Sequence, residues 1–275
     1  RLVRHFADDV PSTVLTIGEG DDGRIWLGSY GEGGGWIDPK TARYHPMKMP
    51  QFDFLSITDY AKDREGRGWA GTMGHGLLMF AVDGAVRQFR SEDATGKGLS
   101  HDFISQLSLS PDDHRLYVAT DNGLNCLDLD NLTWNGIFGG KCLMPGANVY
   151  LAREYNNALW IGTTEGLFHY DLRKRELGHY TVEQGLPSNN ITSIEKDQLG
   201  QLWIGTDMGL SCLNPKYSRF QNYYVEDGLQ ANYFTTGGSW AMTDGRLLFC
   251  GTGGITWFNP ADIDHREWNA TVSLT

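Results

Sequence analysis

The chain has 275 residues, with 23 Lys and Arg against 34 Asp and Glu and a formal net charge of −11; lacking clustered cations, it offers no phosphate-tracking surface, and no nucleic acid partner is expected. Its four cysteines, Cys126, Cys142, Cys212 and Cys250, show no C-x-x-C spacing and no His cluster, so free thiols are expected and neither a metal nor a cofactor. With 35 Gly, 9 Trp, 12 Tyr and 12 Phe, the composition suits many short strands joined by tight turns better than it suits helices.

In chain order one unit returns six times, marked by an anchor of an aromatic, a small or aliphatic residue, Gly or Ala, then Thr or Ser. The anchors are Trp26-Leu27-Gly28-Ser29, Trp69-Ala70-Gly71-Thr72, Tyr117-Val118-Ala119-Thr120, Trp160-Ile161-Gly162-Thr163, Trp203-Ile204-Gly205-Thr206 and Phe249-Cys250-Gly251-Thr252. They follow one another at steps of 43, 48, 43, 43 and 46 residues, the spacing of a propeller blade of about four strands.

A hairpin turn precedes each anchor: Asp21-Asp22-Gly23, Arg64-Glu65-Gly66, Pro111-Asp112-Asp113, Asn156-Asn157, Leu199-Gly200 and Thr243-Asp244-Gly245. Gly, Asn and Asp tolerate the positive φ angles that such turns demand. Further upstream lies a polar lead-in to each unit, most regular at Gly185-Leu186-Pro187-Ser188-Asn189-Asn190. The sequence therefore predicts four strands per blade: a from the lead-in, b with the anchor, c after a second turn, and d outermost, as at Glu176 to Tyr180 and Arg219 to Tyr223. Gly at the third anchor position leaves room where neighbouring backbone approaches, and the anchor aromatic reads as a packing wedge between blades.

The fold expected is an all-β β-propeller of four-stranded antiparallel blades over residues 1–265, with 266–275 opening a linker or a following β-sandwich. Arg1 to Phe6 has the character of an outer strand, and the sixth unit lacks one after Pro260. Two pictures follow: a closed six-blade ring completed by the N-terminal strand, or part of a seven-blade ring. No apolar run of about 18 residues occurs, so membrane attachment is expected only through segments outside this chain. Opening at Arg1 without a methionine or signal peptide, the chain reads as part of something longer.

The pattern G-L-P-S-N-N-I, a turn, then L-W-I-G-T-x-x-G-L-x-x-x-N-P at Gly185 to Pro215 resembles the two-component regulator propeller repeat. Ala158 to Asp171 carries it well; Val10 to Pro39 carries it least, because Gly31-Glu32-Gly33-Gly34-Gly35 is expected to replace a compact b–c turn. The resemblance implies a periplasmic sensor region of a Bacteroidetes hybrid two-component system. It implies an oligosaccharide ligand, self-association to a dimer in the full-length protein, and a histidine kinase beyond this fragment.

On a propeller the lead-ins and the b–c turns emerge together around the central channel, where loops on a rigid scaffold carry function. Sugar recognition needs aromatic faces for C–H surface and planar amides or carboxylates for hydroxyls. The candidates of that kind are Tyr30, Glu32, Trp36, His75, His101, Asp102, Asn148, Asn190, Asn232 and Tyr233, within a wider set that includes Asp53, Phe54, Phe103, Asn189, Met73, Asp121, Asn122, Glu165 and Asp207. Asn and Ser before a strand also cap local turns, so each has a structural alternative. No G-x-S-x-G, H-E-x-x-H or phosphate loop occurs, and no catalytic residue is expected. A propeller lyase or hydrolase acting on glycans and a protein-interaction scaffold are the alternatives to a sensor.

Overall fold

A computed structural model describes residues 10–20, 23–49, 51–91, 98–134, 137–138, 141–214 and 219–263. The alternating segments form strands that fall into blades in chain order. Blade 1 holds β1 (Val14–Glu19), β2 (Ile25–Ser29), β3 (Glu32–Asp38) and β4 (Arg43–Pro46); blade 2 holds β5 (Leu55–Lys62), β6 (Gly68–Thr72), β7 (Leu77–Phe80) and β8 (Val86–Phe89). Blade 3 holds β9 (Ile104–Leu109), β10 (Arg115–Thr120) and β11 (Gly123–Asp128). Blade 4 holds β12 (Val149–Tyr155), β13 (Ala158–Thr163), β14 (Leu167–Asp171) and β15 (Glu176–Tyr180). Blade 5 holds β16 (Ile191–Lys196), β17 (Leu202–Thr206), β18 (Gly209–Asn214) and β19 (Arg219–Tyr223), and blade 6 holds β20 (Phe234–Ala241), β21 (Leu247–Gly251) and β22 (Gly254–Phe258).

Neighbouring strands within each blade pair antiparallel, and a short parallel ladder of β3 with β5 ties blade 1 to blade 2. The hairpins turn where the sequence places them: Asn156 and Asn157 both take positive φ, 51° and 67°, as a type I′ turn requires. Two expectations need correction. Blades 3 and 6 have three strands among the described residues; in blade 3 the fourth place is taken by isolated bridges, Asp128 with Thr133 and Leu124 with Leu143. The glycine run is no extended loop either. Glu32 to Gly35 belongs to β3, whose Gly34 and Gly35 pair Gly28 and Leu27, and the b–c turn is tight at Tyr30 and Gly31.

The core lies between blades. One buried cluster joins Trp69, Leu77 and Phe89 of blade 2 to Ile104, Leu107 and Leu116 of blade 3, similar clusters fill the junctions from blade 3 to blade 6, and a smaller one lies within blade 2 at Leu55, Ile57, Ala70 and Leu78. The third anchor position explains the spacing. A Cβ on Gly162 would stand 2.8 Å from Cγ2 of Ile191, the first inner residue of the next blade, and Gly28 and Gly71 meet Ile57 and Ile104 in the same way. Blade 3 admits Ala119 there.

Trp69 and Trp203 are buried anchor wedges, as expected, and their indole N–H groups are satisfied from within the blade. Asp197, buried in the a–b turn, accepts from Leu199 N (2.9 Å), Gln201 N (2.9 Å) and Trp203 Nε1 (3.0 Å). Asp63 does the same for Trp69 Nε1 (2.8 Å) and is clamped by Arg67 at 2.6 Å. At the anchor Tyr117, the hydroxyl donates across the junction to Glu154 of blade 4. The anchor Thr caps the b–c turn: Thr206 Oγ1 donates to Gly209 O and accepts from Met208 N. Gly209 has φ 133°, and a Cβ there would press on Tyr223 O.

A polar belt runs from blade to blade along the inner strands. Thr16 donates to Asp59, which also accepts from Leu107 N at 2.9 Å; Arg153 Nη1 donates to Gln106 Oε1 at 2.8 Å; Ser239 Oγ donates to Glu195 Oε1 at 2.7 Å. Arg153 is the counter-charge of both buried acids. Burial raises the Asp59 and Glu195 carboxyls, and Arg153 opposes that rise in each. Past the last junctions, Ile17 (66% exposed) on blade 1 and Trp240 and Trp257 (60% and 61%) on blade 6 remain open among the described residues. Arg1 to Phe6, residues 266–275 and the boundary at 265 lie outside the described residues, and with them the expected ring closure. Among the described residues Cys126 and Cys212 are buried free thiols, and Cys142 and Cys250 are half-buried free thiols.

Two outcomes follow. Asp197→Ala strands three donors, one of them a buried indole, and should lower stability by about 2–4 kcal/mol in chemical denaturation; a loss under about 0.5 kcal/mol would contradict this role. Arg153→Met leaves Asp59 and Glu195 without their cation. Their folded-state carboxyls are raised, so the folded state holds more protons than the unfolded one above the ordinary carboxylate range, and stability falls as pH rises. The variant should lose more stability near pH 7.5 than near pH 4.5, with a steeper decline between them than the parent; equal losses at both would refute the belt's electrostatics.

Candidate ligand-binding site

Each inner strand starts with a register slip that leaves one residue unpaired: Leu15, Thr58, Ser105, Tyr150 and Thr192 in blades 1 to 5. Such bulges redirect side chains, and here they occur at the lead-in end of the strand. The residues just before the paired strand, Asn148, Asn190 and Tyr233, lie at the same level. So do the b–c turn residues that follow the anchor Thr, Asp121 and Asp207.

Burial raises the phenol of Tyr150, and after burial the neighbours that raise it further are Asp121 of blade 3, Tyr233 of blade 6 and Asp207 of blade 5. Asn190 Nδ2 donates to Asp207 Oδ2 at 3.0 Å. A carboxylate only accepts, so the amide must turn its NH2 to Asp207 and its oxygen away. That oxygen, Asn190 Oδ1, is buried without a partner, as are Asp207 Oδ1, Asn148 Oδ1, Thr192 Oγ1 and Ser193 Oγ. Each unpartnered buried acceptor or hydroxyl costs about 1–3 kcal/mol, and five of them lie in two adjacent blades.

The other expected residues are held in structural duties. Asn232 Oδ1 accepts from Val225 N at 2.8 Å, as Asn189 does from Val182 N at 2.9 Å, each closing the short 3-10 turn of its lead-in. Asp102 takes Arg90 at 2.7 Å and Ser91 N at 2.7 Å, which hold its carboxyl below the usual range against the opposing effect of burial. His101 Nδ1 accepts from Phe103 N, and the His75 ring contacts Phe54 O at 3.0 Å and lies against Phe52. Glu32 accepts from Ser12 N and Oγ. Tyr30 is exposed, edge-on to Phe54 at 5.4 Å between ring centres.

Trp36 is a correction. It was expected in a b–c turn, but it lies within β3, paired with Trp26 and His45, stacked on His45 at 3.9 Å with Arg24 over its other face. It is packing, not part of the mouth. Tyr150 and Thr192 were not among the expected residues. Tyr150 carries the signal that could have found it, since the matching positions hold Leu15, Thr58, Ser105 and Thr192.

Cavities of about 500, 430 and 180 Å3 open on the opposite face, among the a–b turns, and all three are lined by Asn156 and Lys196. Their linings include none of the unpartnered buried polar atoms, five of which lie at the lead-in end of blades 4 and 5 and the others at Arg115, Gln201 and Tyr223.

Comparison with known proteins agrees with this architecture. The sequence profile of the two component regulator propeller family matches residues 185–208. The extracellular domain of a putative hybrid two component system from B. thetaiotaomicron aligns with TM-score 0.75 and 19% identity, over 90% of this chain and 34% of its own. That of a putative one component system from the same organism aligns with TM-score 0.71 and 20% identity, over 94% of this chain and 34% of its own. Virginiamycin B lyase from Staphylococcus aureus aligns with TM-score 0.64 and 12% identity, over 91% of this chain and 82% of its own. No curated protein matches. The chain spans about a third of the length of the two extracellular domains. Its blades share their fold, and residues 185–208 match the two component regulator propeller repeat.

Proposed function

We propose that this chain is an extracytoplasmic ligand-sensing propeller, that its ligand is an oligosaccharide held at the lead-in mouth of blades 4 to 6, and that it signals to a histidine kinase carried elsewhere in the full-length protein, working as a dimer. The observation that supports the reading is the lead-in end of blades 4 to 6, where Asn190 pairs with Asp207 and the half-buried Tyr150 and exposed Tyr233 lie at the same level. A saccharide supplies hydroxyl donors to the first group and C–H faces to the second. The likeness to extracellular domains of two-component systems supports the setting.

Binding is favoured over cleavage. A glycan lyase needs a base poised near neutral pH, and Tyr150 is pushed away from ionisation rather than toward it. The two acids nearest it belong to turns that also shape the mouth.

A panel of defined oligosaccharides followed by thermal shift and calorimetry tests the proposal. A cognate sugar at about a hundred times its dissociation constant should add roughly 2.7 kcal/mol to stability. Tyr233→Ala, which removes a half-exposed ring outside the blade cores, should weaken that sugar at least about tenfold and leave the unliganded stability within about 0.5 kcal/mol. Cleavage of any panel member by the purified chain would overturn the non-enzymatic reading.

A further inference from the structure

We infer that the outward face of blade 6 is an interface for a further blade of the same repeat, supplied by the full-length protein, and that the inner strand of that blade opens with a residue no larger than Val. The inference stands independently of the sensor reading.

Register identifies the face. Strands β21 and β22 pair Cys250 with Ile255 and Leu248 with Trp257. The same two rows pair Gly71 with Leu77 and Trp69 with Met79 in blade 2, Ala119 with Leu124 and Tyr117 with Cys126 in blade 3, and Gly205 with Leu210 and Trp203 with Cys212 in blade 5. Residues directly opposite across a ladder share one face of the sheet, so these rows form the side that each blade turns to its successor. There Leu77, Leu124 and Leu210 are at most 1% exposed and Met79, Cys126 and Cys212 at most 8%, whereas Ile255 is 52% and Trp257 61% exposed. Trp240, opposite Leu248 on β20, is a third open side chain of the same face. The other side of β21 is sealed, with Leu247 and Phe249 in one buried cluster with Trp203 and Leu210 of blade 5. Blade 6 is therefore complete toward blade 5 and bare on the face that a repeat unit cannot bury alone.

The other junctions specify the occupant. Ile104 stands against Gly71 and Ile191 against Gly162, each the first inner residue of the following blade. Where Ala119 puts a methyl at the spacer position, the residue that opens the next blade is Val149, one carbon smaller, in the same buried cluster. Register, rather than the sequence repeat, gives Cys250 the spacer place in blade 6. Its side chain is larger than that of Ala119, so at core density a Val or smaller residue fits opposite and an Ile overpacks. Blade 1 of this chain does not cover the face, because Val14 and Ile17 on its own leading strand are exposed. The chain spans 34% of two extracellular domains that match 90% and 94% of it, a length that leaves room for further blades.

Maleimide labelling read site by site by mass spectrometry tests this on the isolated chain and on the full-length protein. Cys250 should label readily in the isolated chain and at least about tenfold more slowly in the full-length protein, while the half-buried Cys142 labels alike in both. Cys250→Leu should lower the melting temperature of the full-length protein and leave that of the isolated chain unchanged; Cys250→Ala should spare both. Equal labelling of Cys250 in the two proteins would overturn the inference. So would protection of Cys250 in the isolated chain, whether it grows with concentration as light scattering reports a dimer, which a second copy would produce, or persists in the monomer, which closure onto blade 1 would produce.

Discussion

The structure depends on how closely each blade approaches the next. Ile57, Ile104 and Ile191 each fill the space that a side chain would occupy at Gly28, Gly71 and Gly162 of the preceding blade. That contact sets the distance between inner strands, and at the junctions of blades 2 and 3 and of blades 4 and 5 it borders a core of buried aliphatic and aromatic residues. Packing at that density tolerates little change in volume. The anchor Gly is thus a spacer defined by its neighbour, and the next blade's Ile is the other half of the same device.

A wedge of indole in such a junction brings a polar N–H into the core, and the fold answers it locally. Asp197 and Asp63, six positions before Trp203 and Trp69, serve both turn and wedge with one carboxylate. The arrangement couples hairpin geometry to blade packing. On the channel side the same logic is applied between blades, with Arg153 shared among Gln106, Asp59 and Glu195. Once these duties are assigned, most polar residues of the repeat are accounted for. The lead-in end of blades 4 and 5 keeps five buried polar atoms without a partner, against Arg115 Nε, Gln201 Oε1 and Tyr223 Oη elsewhere among the described residues.

Much of this was legible in the sequence because repetition exposes it. The anchors, the hairpins at Asn156 and Gly200, and the outer strands at Glu176–Tyr180 and Arg219–Tyr223 fall where period and turn chemistry put them. The Gly31 to Gly35 run misled because glycine usually marks a loop, whereas here Tyr44, His45 and Leu27 crowd a strand that has no room for Cβ atoms. Trp36 was drawn into the site by the same error. Among the lead-in residues, sequence alone could not tell the first Asn of the Asn-Asn pair from the second: Asn189 and Asn232 close a 3-10 turn, while Asn190 and Tyr233 face the mouth. Tyr150 escaped because a bulge, which no composition announces, turns it toward Asp121 and Asp207.

The proposed ligand site is the lead-in mouth and not the grooves among the a–b turns. Amide hydrogen exchange of the chain, with and without a sugar that stabilises it, tests this most directly. Protection is predicted in the segments around Asn148 to Tyr150, Asn190 to Ser193, Asp207 and Tyr233, with Asn156 and Lys196 to Gly200 unchanged. Protection confined to Asn156, Lys196 to Gly200 and Met242 would place the ligand on the opposite face and contradict the account.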